Sequence, residues 1–102
     1  MKEKDEVMDI LRSSLSELKG FGVKRIGVFG SYARGDPDDE SDIDILVEFE
    51  KGEERFENLF NVHELLKDRY DMNIDLVTID GLSPYIGPHI LEEVIFVDKA
   101  LA

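Results

Sequence analysis

Apolar positions near the start of the chain recur at the spacing of an α-helix. Between Glu3 and Leu18 they fall on one helical face, and acidic residues occupy the first turns, where the helix dipole favours them. The residues of this face are Val7, Ile10, Leu11, Ser14, Leu15 and Leu18. An amphipathic stripe needs no partner to explain it, so we interpret this face as core packing and not as a partner-binding surface.

Further along, short apolar runs have the pattern of β-strands. The first is Ile26–Phe29, a continuous apolar run that ends at a glycine. The second, Ile43–Phe49, alternates between two faces, and the third, Ile74–Ile79, is rich in β-branched residues. In the second run, Ile43, Ile45, Val47 and Phe49 share the core face, and Asp42, Asp44, Leu46 and Glu48 share the other. The run Val94–Val97 fits a short edge strand.

A second amphipathic helix follows the second strand. Its stripe consists of Phe56, Leu59, Phe60, His63, Leu66 and Tyr70. A lone histidine on such a stripe is more often packed in the core than used as a ligand, so we predict that His63 is packed. Two prolines and a glycine then limit the following segment to one short helix near Ile90–Glu93. Tyr85 follows one of these prolines and is predicted to pack against the core rather than to stack on a nucleobase.

Helices and strands that follow one another in this way predict an α/β (α+β) fold. With 102 residues and 42% hydrophobic content, the chain has room for one domain, residues 1–102, with a modest core. Its net charge of −12, from 24 acidic and 12 basic residues, argues against direct binding to nucleic acid. There is no cysteine, no signal-peptide pattern and no long apolar run, so we expect a cytoplasmic protein that does not bind a membrane.

The first strand leads into a turn suited to a phosphate. Gly30 has no Cβ, and a short helix that begins at Gly30 and Ser31 would leave backbone N–H groups free to bind an anion. Arg34 either helps to neutralise that phosphate or tethers the acidic loop 35–41 by a salt bridge, and the sequence leaves both roles open. The acidic residues at positions 38–40 fit a solvated charge run better than a metal site.

Aspartates on the second and third strands are candidate metal ligands. Asp42 and Asp44 stand two residues apart, so strand geometry places both carboxylates on one face, where they repel each other unless a cation lies between them. Mg²⁺ takes oxygen ligands of this kind. Asp75 shares a largely apolar face, so we expect a cation beside it, either a metal ion or a structural Lys or Arg. A phosphate-binding turn with paired carboxylates indicates metal-assisted phosphoryl transfer.

These motifs resemble the signature of the nucleotidyltransferase superfamily that includes DNA polymerase beta, namely Gly-Ser, a spacer and Asp-x-Asp on a strand. Here the signature is Gly30-Ser31 and Asp42-Ile43-Asp44. More narrowly, nearly the whole chain is similar to the minimal nucleotidyltransferases (MNT), through Phe-Gly-Ser-Tyr-Ala-Arg-Gly at 29–35 and Ser-Asp-Ile-Asp-Ile-Leu-Val-Glu-Phe at 41–49. The resemblance implies the polymerase-beta-like nucleotidyltransferase fold, a small mixed sheet of three or four strands with helices on one face.

The same resemblance implies a set of site residues. They are Asp42, Asp44 and Asp75 as catalytic ligands of two Mg²⁺ ions, and Gly30, Ser31 and Arg34 as nucleotide-binding residues. In this role Asp75 completes one of the two metal sites and accepts the proton of the attacking hydroxyl. The donor would be ATP, which would lose pyrophosphate and leave AMP on the acceptor.

The implied acceptor is a protein, a tyrosine of a HEPN-domain ribonuclease toxin whose antitoxin this chain would be, in a homo- or hetero-oligomer. Two other functions stay open. One is transfer to a small cationic molecule such as an aminoglycoside, although such enzymes usually need an added helical domain. The other is a non-catalytic antitoxin, a binding module that neutralises its partner with the metal site unused, although all three carboxylates are present.

Overall fold

A four-stranded mixed sheet forms the centre of the molecule, whose computed structural model describes residues 2–97. Its strands are β1 (Val23–Phe29), β2 (Ile43–Phe49), β3 (Ile74–Thr78) and β4 (Ile95–Phe96). They lie in the order β3-β2-β1-β4, with β1 antiparallel to both β2 and β4, and β2 parallel to β3. The mixed sheet predicted from the resemblance is confirmed, and β3 and β4 are its edges.

Five helices accompany the sheet within the described residues. They are α1 (Lys4–Ser13), α2 (Leu15–Lys19), α3 (Gly30–Arg34), α4 (Phe56–Tyr70) and α5 (Gly87–Glu93), together with a 3₁₀ turn at Ile79–Gly81. Apolar residues of α1, α2 and α4 form one core cluster with the inward face of β2, as the alternation along that strand predicts. Within residues 2–97, no helix combines the length and the apolar character needed to cross a membrane.

The predicted first helix is divided at Ser14. The predicted core face is otherwise correct, because Val7, Leu11, Leu15 and Leu18 are all buried. Ser14 is also buried, and its hydroxyl donates to the carbonyl of Ile10 at 2.8 Å. A serine that bonds to the backbone of the preceding turn competes with the helix ladder, which accounts for the break between α1 and α2.

The predicted stripe of α4 is correct in part: Leu66 and Tyr70 are buried, and Leu59 is partly buried against the core. Val62, Leu66 and Tyr70 face the core, and the Tyr70 hydroxyl donates to the carbonyl of Val7 at 2.7 Å. Burial raises the pKa of Tyr70. The side chain of Asn58, which was not predicted to face inward, is buried near the start of the helix and donates to the carbonyl of Glu53 at 2.8 Å.

At its start, α4 lies beside the edge strand β3, and two side chains predicted for the core, Phe56 and Phe60, face solvent there. Phe56 is 81% exposed and Phe60 is 51% exposed, with their rings stacked 6.1 Å apart. His63 lines the same open groove with Ile74, and its Nδ1 lies 3.0 Å from a carboxylate oxygen of Glu64. The prediction of a packed His63 is therefore wrong, because an edge strand offers no further layer to cover this face.

The segment after β3 also departs from the prediction. The third strand ends at Thr78, whose hydroxyl accepts from the amide of Gly81 at 3.1 Å and caps the 3₁₀ turn. Tyr85 is 86% exposed, so its predicted packing against the core is wrong. It lies in a turn closed by the bond from the Gly87 amide to the Ser83 carbonyl, outside the sheet. The short helix predicted near Ile90–Glu93 is present as α5, which begins three residues earlier.

Candidate active site

The chain passes from β1 into α3 without an intervening loop, and Gly30 makes this passage possible. Its φ is +72°, a conformation that residues with a side chain rarely adopt. A Cβ at this position would lie 2.0 Å from Oδ2 of Asp44, which is impossible without displacing the carboxylate. Gly30 is therefore required both by the backbone conformation and by the close approach of Asp44.

Helix α3 is short but firmly held. Tyr32 and Ala33 are buried, and the helix ends at Gly35, which has φ +83°. The amides of Gly35 and Asp36 both donate to the carbonyl of Ser31, at 2.9 and 3.0 Å. Ser31 itself is only half-buried. The turn is consequently fixed from behind by the core, with Gly30 buried and Ser31 its partly exposed residue.

Parallel pairing of β2 and β3 places two of the predicted site carboxylates side by side. Asp44 lies opposite Asp75 in the register of these strands, and opposite Phe29 on the β1 side. Asp42 stands just before β2 and is exposed, as is Asp75, whereas Asp44 is half-buried. The three predicted aspartates thus lie at the end of the sheet where the Gly30 turn begins.

The expected cation beside Asp75 is not a protein side chain. No Lys or Arg in the described part of the chain forms an ion pair with Asp75, whose neighbour on β2 is the carboxylate of Asp44. The alternation along this strand predicts that apolar neighbours cover Asp75, but the side chain is exposed. The exposure of Asp75 shows that water can hydrate this carboxylate, so its charge costs less than we assumed.

The surroundings of Asp44 disfavour its charged form. Burial raises its pKa to about 6 from the ordinary 3.8, assisted by the charge of Asp75, a hydrogen bond with Asp75 and the charge of Asp42. The positive charge of Arg34 opposes this shift but does not cancel it. A carboxylate in this position gains from any added positive charge, because such a charge would offset both the burial and the repulsion.

These side chains fit a hard divalent cation by the chemistry of their donors. All are carboxylate oxygens, the ligands preferred by Mg²⁺, and their mutual repulsion is what a cation relieves. Among residues 2–97, however, no three acidic, histidine or cysteine side chains are already gathered into a metal cage. A metal ion held here would draw on the exposed Asp42 and Asp75 and on the half-buried Asp44.

Arg34 is engaged by two acidic residues. Its Nε lies 3.4 Å from Oδ1 of Asp36, so the tether to the acidic loop that was one of its two predicted roles is present. Its Nη1 donates to Oε2 of Glu93 at 3.2 Å, and this hydrogen bond raises the pKa of Arg34. The other oxygen of Glu93 accepts from the backbone amide of Gly30 at 2.9 Å.

The contact of Glu93 with the Gly30 turn was not predicted from the sequence. Glu93 lies 63 residues after Gly30 and belongs to none of the recognised motifs, so only the short helix predicted around it pointed to the segment at all. By contrast, the acidic loop behaves as expected. Residues 38–40 are exposed, and Asp38 accepts from the amide of Glu40 and the hydroxyl of Ser41, which stabilises the loop locally.

Comparison with known proteins gives a consistent set of matches. A family model described as nucleotidyltransferase domain matches residues 8–97. The protein adenylyltransferase MntA of Thermococcus cleftensis is 38% identical over 94 residues, which are 91% of this chain and 94% of the relative. The match therefore spans almost the full length of both proteins.

Solved structures with the same fold include minimal nucleotidyltransferases. A structure provisionally described as a minimal nucleotidyltransferase superimposes with a TM-score of 0.81 at 30% identity, over 92% of this chain and 95% of the other. A chain from a complex of tri-AMPylated Shewanella oneidensis HEPN toxin with MNT antitoxin superimposes with a TM-score of 0.63, over 89% of this chain and 71% of that chain. Since the identity to this second chain is 18%, that similarity shows a shared fold.

Proposed function

This chain belongs to the nucleotidyltransferase domain family, as an enzyme of the minimal type, and we propose that it transfers AMP from ATP to a tyrosine of a partner protein. The proposal rests on the contact between the Gly30 turn and Asp44, with Asp75 beside it on the next strand. A turn that can accept phosphate and carboxylates that can hold a metal ion are brought together there. The adenylyltransferase relative supports a protein as the acceptor.

Asp42 and Asp44 would hold two Mg²⁺ ions, and Asp75 would complete one of the two sites. When bound, such ions neutralise the triphosphate and polarise the phosphorus that is attacked. The chain itself contributes the fixed turn at Gly30 and Ser31, whose backbone N–H groups would hold the β- and γ-phosphates. Arg34 would exchange its acidic partners for a phosphate oxygen.

The transfer is a substitution at the α-phosphorus of ATP. A bond forms between that phosphorus and the tyrosine oxygen, the bond to the oxygen bridging to the β-phosphorus breaks, and pyrophosphate leaves. Asp75 is exposed and lies beside Asp44, so an acceptor hydroxyl approaching from solvent can reach it. In this proposal Asp75 takes the proton of the tyrosine as the new bond forms.

The partner we propose is a HEPN-domain ribonuclease toxin, for which this chain would act as the antitoxin. The Shewanella complex supports this partner, because its toxin is AMPylated and its antitoxin belongs to the MNT group. The charge of this chain also supports it. A surface with a net charge of −12 attracts a basic protein of the kind that binds RNA.

Mass spectrometry of the partner would test this function. A HEPN-type protein encoded beside this chain, incubated with the enzyme, Mg²⁺ and ATP, should gain AMP on a tyrosine. Asp44→Asn should give no product, and the partner with that tyrosine changed to phenylalanine should not be modified. Neutralisation of the ribonuclease by wild-type and Asp44→Asn alike, with no added AMP, would instead identify the chain as a binding module.

A further inference from the structure

Glu93 of α5 contacts both ends of α3, the backbone of its first residue and the side chain of its last. Its carboxylate accepts the Gly30 amide through Oε1 at 2.9 Å and the Arg34 guanidinium through Oε2 at 3.2 Å. One anionic group thus takes the first backbone donor of the turn and its nearest cation together. This is the pattern of contacts expected of a phosphate, which presents several acceptor oxygens to an amide and an arginine.

We propose that Glu93 is an internal competitor of the triphosphate, which occupies its donors in the nucleotide-free protein and must leave when Mg²⁺-ATP binds. This inference rests on the proposed function, because it concerns the same turn. It adds a regulatory contact that makes the site bind nucleotide less tightly than the turn alone would.

Hydrogen-bond geometry makes the competition direct. The Gly30 amide has one hydrogen, and Glu93 accepts it with a nearly ideal separation of 2.9 Å, so a phosphate oxygen can take that hydrogen only if the carboxylate moves. Arg34 has five N–H donors and can share them, but its Nη1 and Nε are already directed at Glu93 and Asp36.

Charge acts in the same direction. A triphosphate at Gly30 would face the negative charge of Glu93 at the distance of a hydrogen-bond partner. Repulsion of that kind disfavours the nucleotide unless the carboxylate turns away. Glu93 can do so, since its side chain is 30% exposed and Arg34 is 51% exposed, and neither is enclosed by the core.

A purely structural role for Glu93 makes the opposite prediction. Phe29 precedes α3 and offers no side-chain cap, so Glu93 could serve only to cap this helix and to hold the turn in shape. Loss of its charge would then loosen the turn and weaken nucleotide binding. Competition predicts tighter binding after the same change, so the two roles are separated by the sign of one measurement.

The test compares Glu93→Gln with Glu92→Gln and with the wild type. Glutamine keeps an oxygen acceptor and the shape of the side chain while it removes the charge. Glu92 is the preceding residue of α5, is exposed and forms no ion pair with any residue from 2 to 97, so its variant controls for net charge and for helix propensity. Titration calorimetry with Mg²⁺-ATP gives the Kd of each protein, and urea unfolding checks that each is folded.

We expect Glu93→Gln to bind Mg²⁺-ATP about three- to tenfold more tightly than the wild type, the size of one surface charge interaction. Glu92→Gln should stay near the wild-type value. Weaker binding by Glu93→Gln, or equal Kd values in all three proteins, would overturn the inference alone. Absence of binding in all three would overturn the proposed function and this inference together.

Hydrogen exchange on the wild-type protein provides a second readout that needs no variant. If Mg²⁺-ATP displaces Glu93, α5 loses its contact with the Gly30 turn, and the amides of Gly87 and of residues 89–93 should exchange faster in the complex, Pro88 having no amide hydrogen. Slower exchange of α5 in the complex would show that the nucleotide strengthens the contact, and it would overturn the competition even if Glu93→Gln were to fail to fold.

Discussion

Asp44→Asn removes one charge from the candidate site while keeping the shape of the side chain. Asparagine has the form of a protonated aspartate, and its amide can donate a hydrogen bond to Asp75 where a charged Asp44 would repel it. Burial first, and then the charge of Asp75, raise the pKa of Asp44 to about 6. The charge of Asp44 therefore opposes folding in the absence of metal.

The size of this effect follows from the pKa shift. A rise from the ordinary 3.8 to about 6 would be worth roughly 3 kcal/mol if fully realised. Asp44 keeps contact with water, so solvent screening reduces the expected gain for Asp44→Asn to about 1 kcal/mol. Because the folded-state pKa lies above the unfolded one, the destabilisation is complete above about pH 6 and disappears as the pH falls through this value towards 3.8.

Urea unfolding in excess chelator measures the free energy of unfolding directly. At about pH 7.5 the variant should be more stable than the wild type by about 1 kcal/mol, and at about pH 4 the two proteins should be nearly equal. Asp39→Asn, in the exposed acidic loop, serves as the control for loss of one unit of net charge and should change stability little at either pH. The same Asp44→Asn protein should have no detectable nucleotide transfer.

Either of two results would contradict the assignment of Asp44 as a catalytic residue. If Asp44 were a hydrogen-bonded residue needed for the fold, its replacement would cost roughly 1 to 3 kcal/mol at neutral pH and leave transfer intact. A gain in stability accompanied by undiminished transfer would uphold the electrostatics but remove Asp44 from the catalytic site.

Three further predictions concern the nucleotide and the Gly30 turn. Mg²⁺-ATP at about 100 times its Kd should stabilise the fold by about 2.7 kcal/mol and raise the Tm, and an equal rise in excess chelator would contradict metal-dependent binding. Ser31→Tyr should abolish Mg²⁺-ATP binding in calorimetry with an unchanged circular dichroism spectrum. Ser16→Tyr, on the exposed side of α2, is the control and should bind Mg²⁺-ATP normally. Unchanged affinity of Ser31→Tyr would show that Ser31 is a turn residue with no role in nucleotide binding. Gly30→Ala should cost about 1 to 3 kcal/mol in urea unfolding, because its Cβ would lie 2.0 Å from Asp44 Oδ2, and wild-type stability would contradict that contact.

Much of the fold was predictable because local patterns and tertiary packing agree for most elements. Alternation along Ile43–Phe49 assigned the inward face of β2 correctly, since a strand in the middle of a sheet has one face that must be covered. The stripe of α4 was wrong where Phe56 and Phe60 lie beside the edge strand β3. Periodicity identifies an apolar face, but it does not reveal that the neighbouring sheet ends there.

For the candidate site, sequence reasoning succeeded where residues are close in the chain. The nearness of Gly30 to Asp44 follows from the antiparallel pairing of adjacent strands, and the motif itself contains both residues. Glu93 reaches the same turn only because α5 folds back from the end of the chain, and a single glutamate in a chain with 24 acidic residues carries no signal. Long-range contacts of isolated charged side chains need the tertiary structure.

The parallel pairing of β2 with β3 also has a consequence for the order of folding. β1 and β2 are neighbours in the chain, but β3 can join β2 only after α4 has crossed over and closed a long loop. Closing this loop costs chain entropy before the contacts between β2 and β3 can stabilise the fold. The contact made when this loop closes places Asp44 beside Asp75, so like charges meet at the step that bears the entropic cost. A divalent cation bound to these carboxylates, as we propose, would offset that repulsion, so we expect Mg²⁺ to speed the docking of β3 onto β2 during folding.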